Sequence, residues 1–150
     1  MKLSQKLIDY LSNGNGMFLG TRDANLLPEV HRVLGAKAVD ENHIRFYFDT
    51  PTAGRTFDNI NNNQFVSLVT CSDTFESYQF KGKSLGFREA TEEENQEVAT
   101  YLQKFHDLML VFGLMTGFVY AYPHSKMSTI LMEVEEVFEQ TPKIGTGQKI

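Results

Sequence analysis

Six segments of the chain carry the pattern of β-strands, either as apolar and polar residues in alternation or as short apolar runs. The pattern is clearest where Ile44, Phe46 and Phe48 alternate with more polar residues, because successive side chains of a strand point to opposite faces. Gly82 and Gly86 fall inside a long extended segment and are predicted to be bulge or bend positions. The predicted strands are Met17–Thr21, Glu29–Val39, His43–Asp49, Phe65–Cys71, Phe75–Ala90 and Met127–Phe138.

Three other segments are predicted to be helical. Apolar residues share one face of a short N-terminal helix within residues 1–13, which ends at an Asn-Gly pair. A second short helix is predicted over Arg55–Ile60, and the asparagine-rich run Asn59–Asn63 is interpreted as a turn between elements. The third helix begins at Thr91, because Thr91 and Glu94 form a capping box ahead of a long apolar stripe.

The order of these elements predicts a fold that is mainly β with appended helices (α+β), built as an antiparallel barrel. Strands follow one another mostly without a helix between them, which excludes a doubly wound parallel sheet. With 150 residues, 41% of them hydrophobic, the chain is expected to form a single domain over residues 1–150. The glycine-rich end, residues 140–150, is predicted to be a mobile tail.

Charge and cysteine content limit the expected partners and compartment. The net charge of −5 argues against a non-specific nucleic-acid binder, which needs a basic face. The longest apolar run is far shorter than the roughly 20 residues of a membrane span, and the N-terminus lacks the apolar core of a signal peptide. With Cys71 as its one cysteine the chain cannot form an internal disulfide, so we expect a cytoplasmic protein that binds neither nucleic acid nor membrane.

The sequence contains none of the common metal or catalytic motifs. Its four histidines have no partner at the spacing of metal ligands, so no protein-built metal site is expected. The G-K-S at Gly82–Ser84 lacks the first glycine of a phosphate-binding loop, and no G-x-S-x-G motif presents a nucleophilic serine. We therefore nominate no catalytic acid, base or nucleophile.

Basic residues are placed around the second and third predicted strands. The sequence R-V-L-G-A-K, Arg32–Lys37, lies inside a strand, and G-R-T, Gly54–Thr56, opens a short helix after an aromatic strand end. A helix N-terminus with an arginine and a threonine hydroxyl can bind a phosphate dianion, and an aromatic barrel wall beside it can take a flat ring. The alternative is that these basic residues are ordinary surface charges, which are the norm.

The order of these motifs resembles the FMN-binding split barrel of the pyridoxamine 5′-phosphate oxidase-like family. The segment R-V-L-G-A-K is similar to the R-x-x-x-x-K strand of that family. The block from Arg55 to Leu68 is similar to its phosphate-binding helix start, asparagine-rich turn and next strand, and the resemblance runs from about Met17 to Phe138. It implies a six-stranded antiparallel split barrel and a homodimer that binds FMN at the subunit interface.

The resemblance also implies which residues bind FMN. By position, Arg55 would hold the phosphate, with Thr56 where the family often has a lysine, while Arg32 and Lys37 would contact the phosphate and the isoalloxazine edge. Because Arg32 and Lys37 are five positions apart, they point to opposite faces of a regular strand, and a bulge or twist is expected at Gly35. The full set is Arg32, Val33, Leu34, Lys37, Phe48, Asp49, Arg55, Thr56, Ser77 and Gln79.

This chain departs from the oxidase itself in ways that change the expected activity. The position of the flavin-binding glutamine of the oxidase falls near Ser77, or near Gln79 two residues later. The chain has no tryptophan and no Arg-x-His near its end, where the oxidase binds its vitamin phosphate. The resemblance therefore implies a flavin-dependent oxidoreductase of unknown small-molecule substrate and argues against authentic pyridoxamine 5′-phosphate oxidation.

Two other functions remain open from the sequence. A non-catalytic split barrel could store or sense flavin, or could bind haem through one of the four histidines, which are His31, His43, His106 and His124. A structural barrel without a cofactor is the third alternative, since a fold does not fix a function.

Overall fold

The computed structural model describes residues 1–113 and 126–150, and no helix within this part is long and apolar enough to cross a bilayer. The helices are α1 (Gln5–Leu11), α2 (Thr56–Asn63) and α3 (Glu92–Val111), and a 3₁₀ turn covers Thr50–Thr52. The strands are β1 (Gly16–Arg22), β2 (Pro28–Arg32), β3 (Ala36–Ala38), β4 (His43–Asp49), β5 (Phe65–Cys71), β6 (Ser77–Glu89), β7 (Met127–Glu139) and β8 (Gln148–Lys149).

The strands form one antiparallel sheet in the order β2-β1-β5-β6-β7-β4-β3, with β8 paired to β7. The register between β6 and β7 shifts next to Gly82 and between Ser84 and Phe87, at the bulges predicted from Gly82 and Gly86. A Cβ at Gly82 would collide with the Glu133 carbonyl, so this close strand contact requires glycine. The predicted antiparallel split barrel is confirmed, but the described residues contain eight strands rather than six.

One predicted strand, Glu29–Val39, is two strands in the structure. β2 and β3 are separated by three residues, of which Gly35 has a φ of +139° that favours glycine. The Val33 N–H donates to a carbonyl of β1 (3.0 Å), and the Leu34 N–H donates to a carbonyl of β4 (2.7 Å). The irregularity predicted at Gly35 is therefore present. It lets the chain pass from β2, at one edge of the sheet, to β3, at the other edge, so that the two edges are joined.

The interior of the barrel is apolar and takes alternate residues from the strands. Phe46 and Phe48 of β4 face this interior, whereas Tyr47 faces the opposite side and packs with Leu34 and Val98 under helix α3. The interior residues with at most 1% exposure are Leu11, Met17, Leu19, Val33, Ile44, Phe46, Phe48, Leu68, Phe80, Ile130, Met132, Val134 and Val137. The period-two pattern read from the sequence thus identifies the core face of the central strands.

Helix α3 starts at the predicted capping box. The Thr91 hydroxyl accepts the Glu94 N–H (3.3 Å), and the Glu94 carboxylate accepts the Thr91 N–H (2.9 Å). The same carboxylate accepts two hydrogen bonds from the Arg88 guanidinium at 2.7 and 2.8 Å, which lowers the pKa of Glu94 to about 2. These bonds attach the start of α3 to the end of β6.

The C-terminal residues that were predicted to be a mobile tail return along β7. Lys149 of β8 lies opposite Phe138, and the Gly147 N–H donates to the Glu139 carbonyl at 2.7 Å. β8 has two residues, too few to display a strand period, which is why the sequence pattern does not predict it.

Candidate ligand site at the start of helix α2

The end of β4 leads through a tight turn into helix α2, and this turn carries the residues predicted to hold a phosphate. The 3₁₀ turn Thr50–Thr52 has a proline near its start, which pre-sets the backbone. The turn is fixed because the Thr50 N–H donates to the Lys126 carbonyl (2.8 Å) and the Thr50 hydroxyl bonds to the Ser128 hydroxyl (2.7 Å). Gly54 then adopts a φ of +54°, two residues before the first residue of α2.

The Arg55 guanidinium pairs with Glu29 on β2. Arg55 Nε and Nη2 donate to Glu29 Oε2 at 3.2 and 2.9 Å. The other carboxylate oxygen, Oε1, lies so close to Gly54 that a Cβ at this position would collide with it. The Arg55 and Glu29 side chains are 47% and 26% exposed, so the pair is open to water. Sequence reasoning missed Glu29, because 26 residues separate the partners and no local motif marks them.

Helix α2 begins without a side-chain cap among the described residues. Thr56, its first residue, is 1% exposed, and its hydroxyl has no hydrogen-bond partner in the described part of the chain. The Thr56 N–H donates to the Ala53 carbonyl (3.0 Å), and the N–H groups that follow it at a helix start are unpaired and carry partial positive charge. Together with the Arg55 guanidinium, these donors fit a phosphate group.

Two asparagines hold helix α2 on strand β1. Asn59 Nδ2 donates to Thr21 Oγ1 (3.0 Å), and Asn63 Nδ2 donates to the Arg22 carbonyl (2.7 Å). The run Asn59–Asn63 is therefore helical, and its interpretation as a turn is wrong. The two bonds fix α2, and with it the candidate phosphate site, relative to the sheet.

Two ionisable side chains lie beside the turn, at the ends of β4 and β2. Asp49 is 2% exposed, and neither of its carboxylate oxygens has a hydrogen-bond partner among the described residues. His31 packs edge-on against Phe48 (5.4 Å between ring centroids), and its Nε2 lies 3.4 Å from Thr52 Oγ1. Burial lowers the pKa of His31, while the Asp49 and Glu29 carboxylates act in the opposite direction. The site therefore combines one arginine with the Glu29 and Asp49 carboxylates, and Asp58 adds a third carboxylate in the first turn of α2.

The side chains of the segment R-V-L-G-A-K do not form one surface beside the turn before α2. The Arg32 guanidinium lies over the Phe105 ring of α3, 4.4 Å from its centroid, and Lys37 pairs with a glutamate of α3. Val33 and Leu34 are 0% and 1% exposed, so their side chains belong to the core. A flat ring beside this segment would meet the backbone of Val33 and Leu34 rather than their side chains.

Ser77 and Gln79 lie on β6, on the far side of β1 and β5 from Arg32. The strand register places Gln79 opposite Val69 of β5, and Val69 opposite Phe18 of β1. Phe18 is in turn opposite Arg32 of β2. Because cross-strand partners share a face, Arg32 and Gln79 lie on the same outer face of the sheet. Ser77, two positions before Gln79, donates its hydroxyl proton to a nearby backbone carbonyl (2.9 Å).

The predicted site residues therefore fall on different sides of β2. Glu29 and Arg32 are three positions apart on this strand, so their side chains leave opposite faces. Arg55 pairs with Glu29, while Asp49 ends β4 and Thr56 begins α2, on either side of the same turn. One protomer thus does not bring Arg32 and Arg55 into a single phosphate clamp.

The other histidines named as candidate haem ligands lie outside this turn. His43 Nδ1 bonds to Asp40 (2.8 Å), His106 is 9% exposed beside Asp107, and His124 lies outside the described residues. Within residues 1–113 and 126–150, no group of three or more histidine, cysteine, aspartate or glutamate side chains is arranged to hold a metal ion.

No protein-family model matches the sequence, and no curated protein matches it. Solved structures do match. A candidate pyridoxamine 5′-phosphate oxidase from Lactobacillus delbrueckii has a TM-score of 0.58 at 17% identity, over 91% of this chain and 93% of that chain. A pyridoxamine 5′-phosphate oxidase-related, FMN-binding protein from Nostoc punctiforme has a TM-score of 0.56 at 15% identity, over 99% and 91%. HutZ, the haem storage protein from Vibrio cholerae, has a TM-score of 0.52 at 16% identity, over 93% and 95%.

These likenesses extend over nearly the whole chain, while the identity stays at 17% or below. Structural similarity at this level of identity establishes the fold, while the residues of the site determine which ligand binds. The chain has the split-barrel fold of the pyridoxamine 5′-phosphate oxidase-like, FMN-binding proteins, a fold that a haem storage protein shares.

Proposed function

We propose that this chain binds FMN and acts as a flavin-dependent oxidoreductase on a small-molecule substrate. The observation that carries the proposal is the start of helix α2, where Arg55, an uncapped helix N-terminus and the buried Thr56 hydroxyl offer donors for a phosphate group. The fold supports it, because a protein from Nostoc punctiforme with this fold is described as FMN-binding.

In the proposed complex the chain holds and orients the cofactor, and the flavin supplies hydride or electron transfer when bound. Arg55 binds the phosphate through charge-assisted hydrogen bonds, and the start of α2 adds the field of its backbone dipoles. The Thr56 hydroxyl contributes one neutral donor. The chain lacks the C-terminal Arg-x-His of the true oxidase, so oxidation of pyridoxamine 5′-phosphate is not part of the proposal.

We further propose a homodimer with FMN at the subunit interface. The outer face of the sheet exposes Phe18 (51%), Val30 (67%), Phe65 (45%) and Val69 (38%). Apolar surface of this kind on a sheet face commonly meets a partner, and a second copy would give a closed pair with one self-complementary interface.

Light scattering of the purified protein is expected to give about twice 17.1 kDa. Val69→Glu places a charge among these exposed apolar side chains, opposite Phe18, and should shift the mass toward that of one chain. Glu41→Gln, which changes an exposed side chain paired with Lys2, is the matched control and should leave the mass unchanged. A monomer that binds FMN at full affinity would contradict the shared site.

A non-catalytic haem-binding barrel is the second candidate, and its support is the haem storage protein of the same fold. His31 is the histidine that lies at the turn before α2. The absorption spectrum of the purified protein, before and after addition of FMN or haem, separates the two candidates. Bands near about 375 and 450 nm that stay with the protein on gel filtration support flavin, a Soret band supports haem, and retention of neither ligand contradicts both.

A further inference from the structure

We infer that Glu29 is an internal competitor of the FMN phosphate: it holds Arg55 through the kind of contact that a phosphate would make, and it lowers the affinity of the site for phosphate-bearing ligands. The inference rests on the proposed function and concerns the regulation of the same site. Its evidence is the geometry of the Glu29 carboxylate, both of whose oxygens are directed to the start of α2.

One carboxylate oxygen of Glu29 accepts the hydrogen bonds of the Arg55 guanidinium. Glu29 Oε2 accepts from Arg55 Nε (3.2 Å) and Nη2 (2.9 Å), two hydrogen bonds from one guanidinium to one anion. Phosphate oxygens form hydrogen bonds of the same charge-assisted type with arginine. A phosphate bound through Arg55 therefore has to take these donors from Glu29.

The other carboxylate oxygen of Glu29 occupies the space beside the start of α2. Oε1 lies against the backbone of Gly54, two residues before Thr56, and a Cβ there would collide with it. Gly54 thus lets an anion approach the backbone closely, and Glu29 is the anion that does so in the protomer. After Glu29 leaves Arg55, its carboxylate stays attached to β2 and repels a phosphate bound at the same turn.

The Glu29–Arg55 ion pair is weak enough for a phosphate ligand to displace it. The two side chains are 26% and 47% exposed, and exposed ion pairs are weak, so a ligand can break the pair. A phosphate carries up to two charges and three acceptor oxygens, which makes it the stronger partner for Arg55. Glu29 therefore reduces phosphate affinity without abolishing it. A ligand without phosphate, such as riboflavin, does not meet this competition.

Titration of the whole protein with FMN and with riboflavin, followed by flavin fluorescence, tests the inference. Glu29→Gln is expected to tighten FMN binding by about three- to tenfold, because it removes both the pairing and the repulsion, and to change the riboflavin Kd by less than about twofold. Glu41→Gln, which removes the exposed ion pair with Lys2, is the matched control and should change neither. An unchanged or weakened FMN affinity in Glu29→Gln overturns the inference.

A second experiment, with inorganic phosphate in place of flavin, tests the role of Glu29 independently of whether the protein binds FMN. Inorganic phosphate is expected to raise the melting temperature of Glu29→Gln at concentrations about three- to tenfold lower than for the unchanged protein. In the Arg55→Ala background, Glu29→Gln should keep only the part of this gain that comes from removing the repulsion, because the arginine for which Glu29 competes is gone. If the protein retains neither flavin but the phosphate arm behaves as expected, the proposed function fails and the role of Glu29 stands. If FMN binds and the phosphate response of Glu29→Gln equals that of the unchanged protein, the role of Glu29 fails and the proposed function stands.

Discussion

Replacing Arg55 with alanine is expected to weaken FMN binding by about 10- to 150-fold while leaving riboflavin binding almost unchanged. A charge-assisted hydrogen bond contributes roughly 1.5–3 kcal/mol, and the two flavins differ only in the phosphate that Arg55 is proposed to hold. The variant also leaves Glu29 without its arginine, so an unpaired carboxylate faces the phosphate. Both effects act on the phosphate and neither acts on the ring.

Fluorescence titration with the two flavins measures this difference directly. Arg22→Ala is the matched control, because Arg22 is also an arginine at a strand end, and its guanidinium lies over the Phe65 ring rather than at the turn before α2. We expect Arg22→Ala to bind FMN within about twofold of the unchanged protein, since single surface charges contribute little. Equal losses of FMN and riboflavin affinity in Arg55→Ala would show that Arg55 supports the fold of the turn instead of binding the phosphate.

The parts of the fold that depend on neighbours in sequence were predictable. The capping box at Thr91 needs only Glu94 three residues later, and both of its hydrogen bonds are present. The irregularities at Gly35 and Gly82 were likewise predictable from residue type, since a glycine inside a strand pattern marks a bulge, a bend or a close approach of backbones.

The parts that depend on distant contacts were not predictable. Apolar residues fall on both parities of Glu29–Val39, so the pattern cannot reveal where one strand ends and the next begins. Val33 and Leu34 lie between the two strands and bond to β1 and β4. The run Asn59–Asn63 has the composition of a turn, yet its side chains bond to β1 and stabilise a helix. In both cases tertiary hydrogen bonds override the local preference.

The residues of the candidate site divide in the same way, into those with a local sequence signal and those brought together by distant contacts. Arg55 and Thr56 were found from the sequence because a helix start has a local signature, and the structure puts them at the first turn of α2. Glu29 and His31 reach the same turn from β2, through the fold of the barrel, so no spacing in the sequence points to them. The FMN contacts of the whole set stay predictions.

Replacing Asp49 with asparagine is expected to stabilise the ligand-free protein by about 1–3 kcal/mol at neutral pH. The Asp49 carboxylate is 2% exposed and has no hydrogen-bond partner for either oxygen among the described residues. A buried charge without partners costs free energy, and a neutral amide of the same shape costs less. Urea unfolding of the flavin-free protein at one protein concentration measures the difference as a change in midpoint at constant slope.

Asp73→Asn, at an exposed position, is the control and should change the free energy of unfolding by no more than about 0.5 kcal/mol. A buried carboxylate that destabilises the fold persists where function uses it, so Asp49→Asn should also weaken flavin binding while it stabilises the free protein. Gain in stability with unchanged flavin affinity would remove Asp49 from the proposed site. Loss of stability would mean instead that the carboxylate accepts hydrogen bonds in solution, from water or from the second protomer, and that Asp49 supports the turn before α2 rather than a ligand.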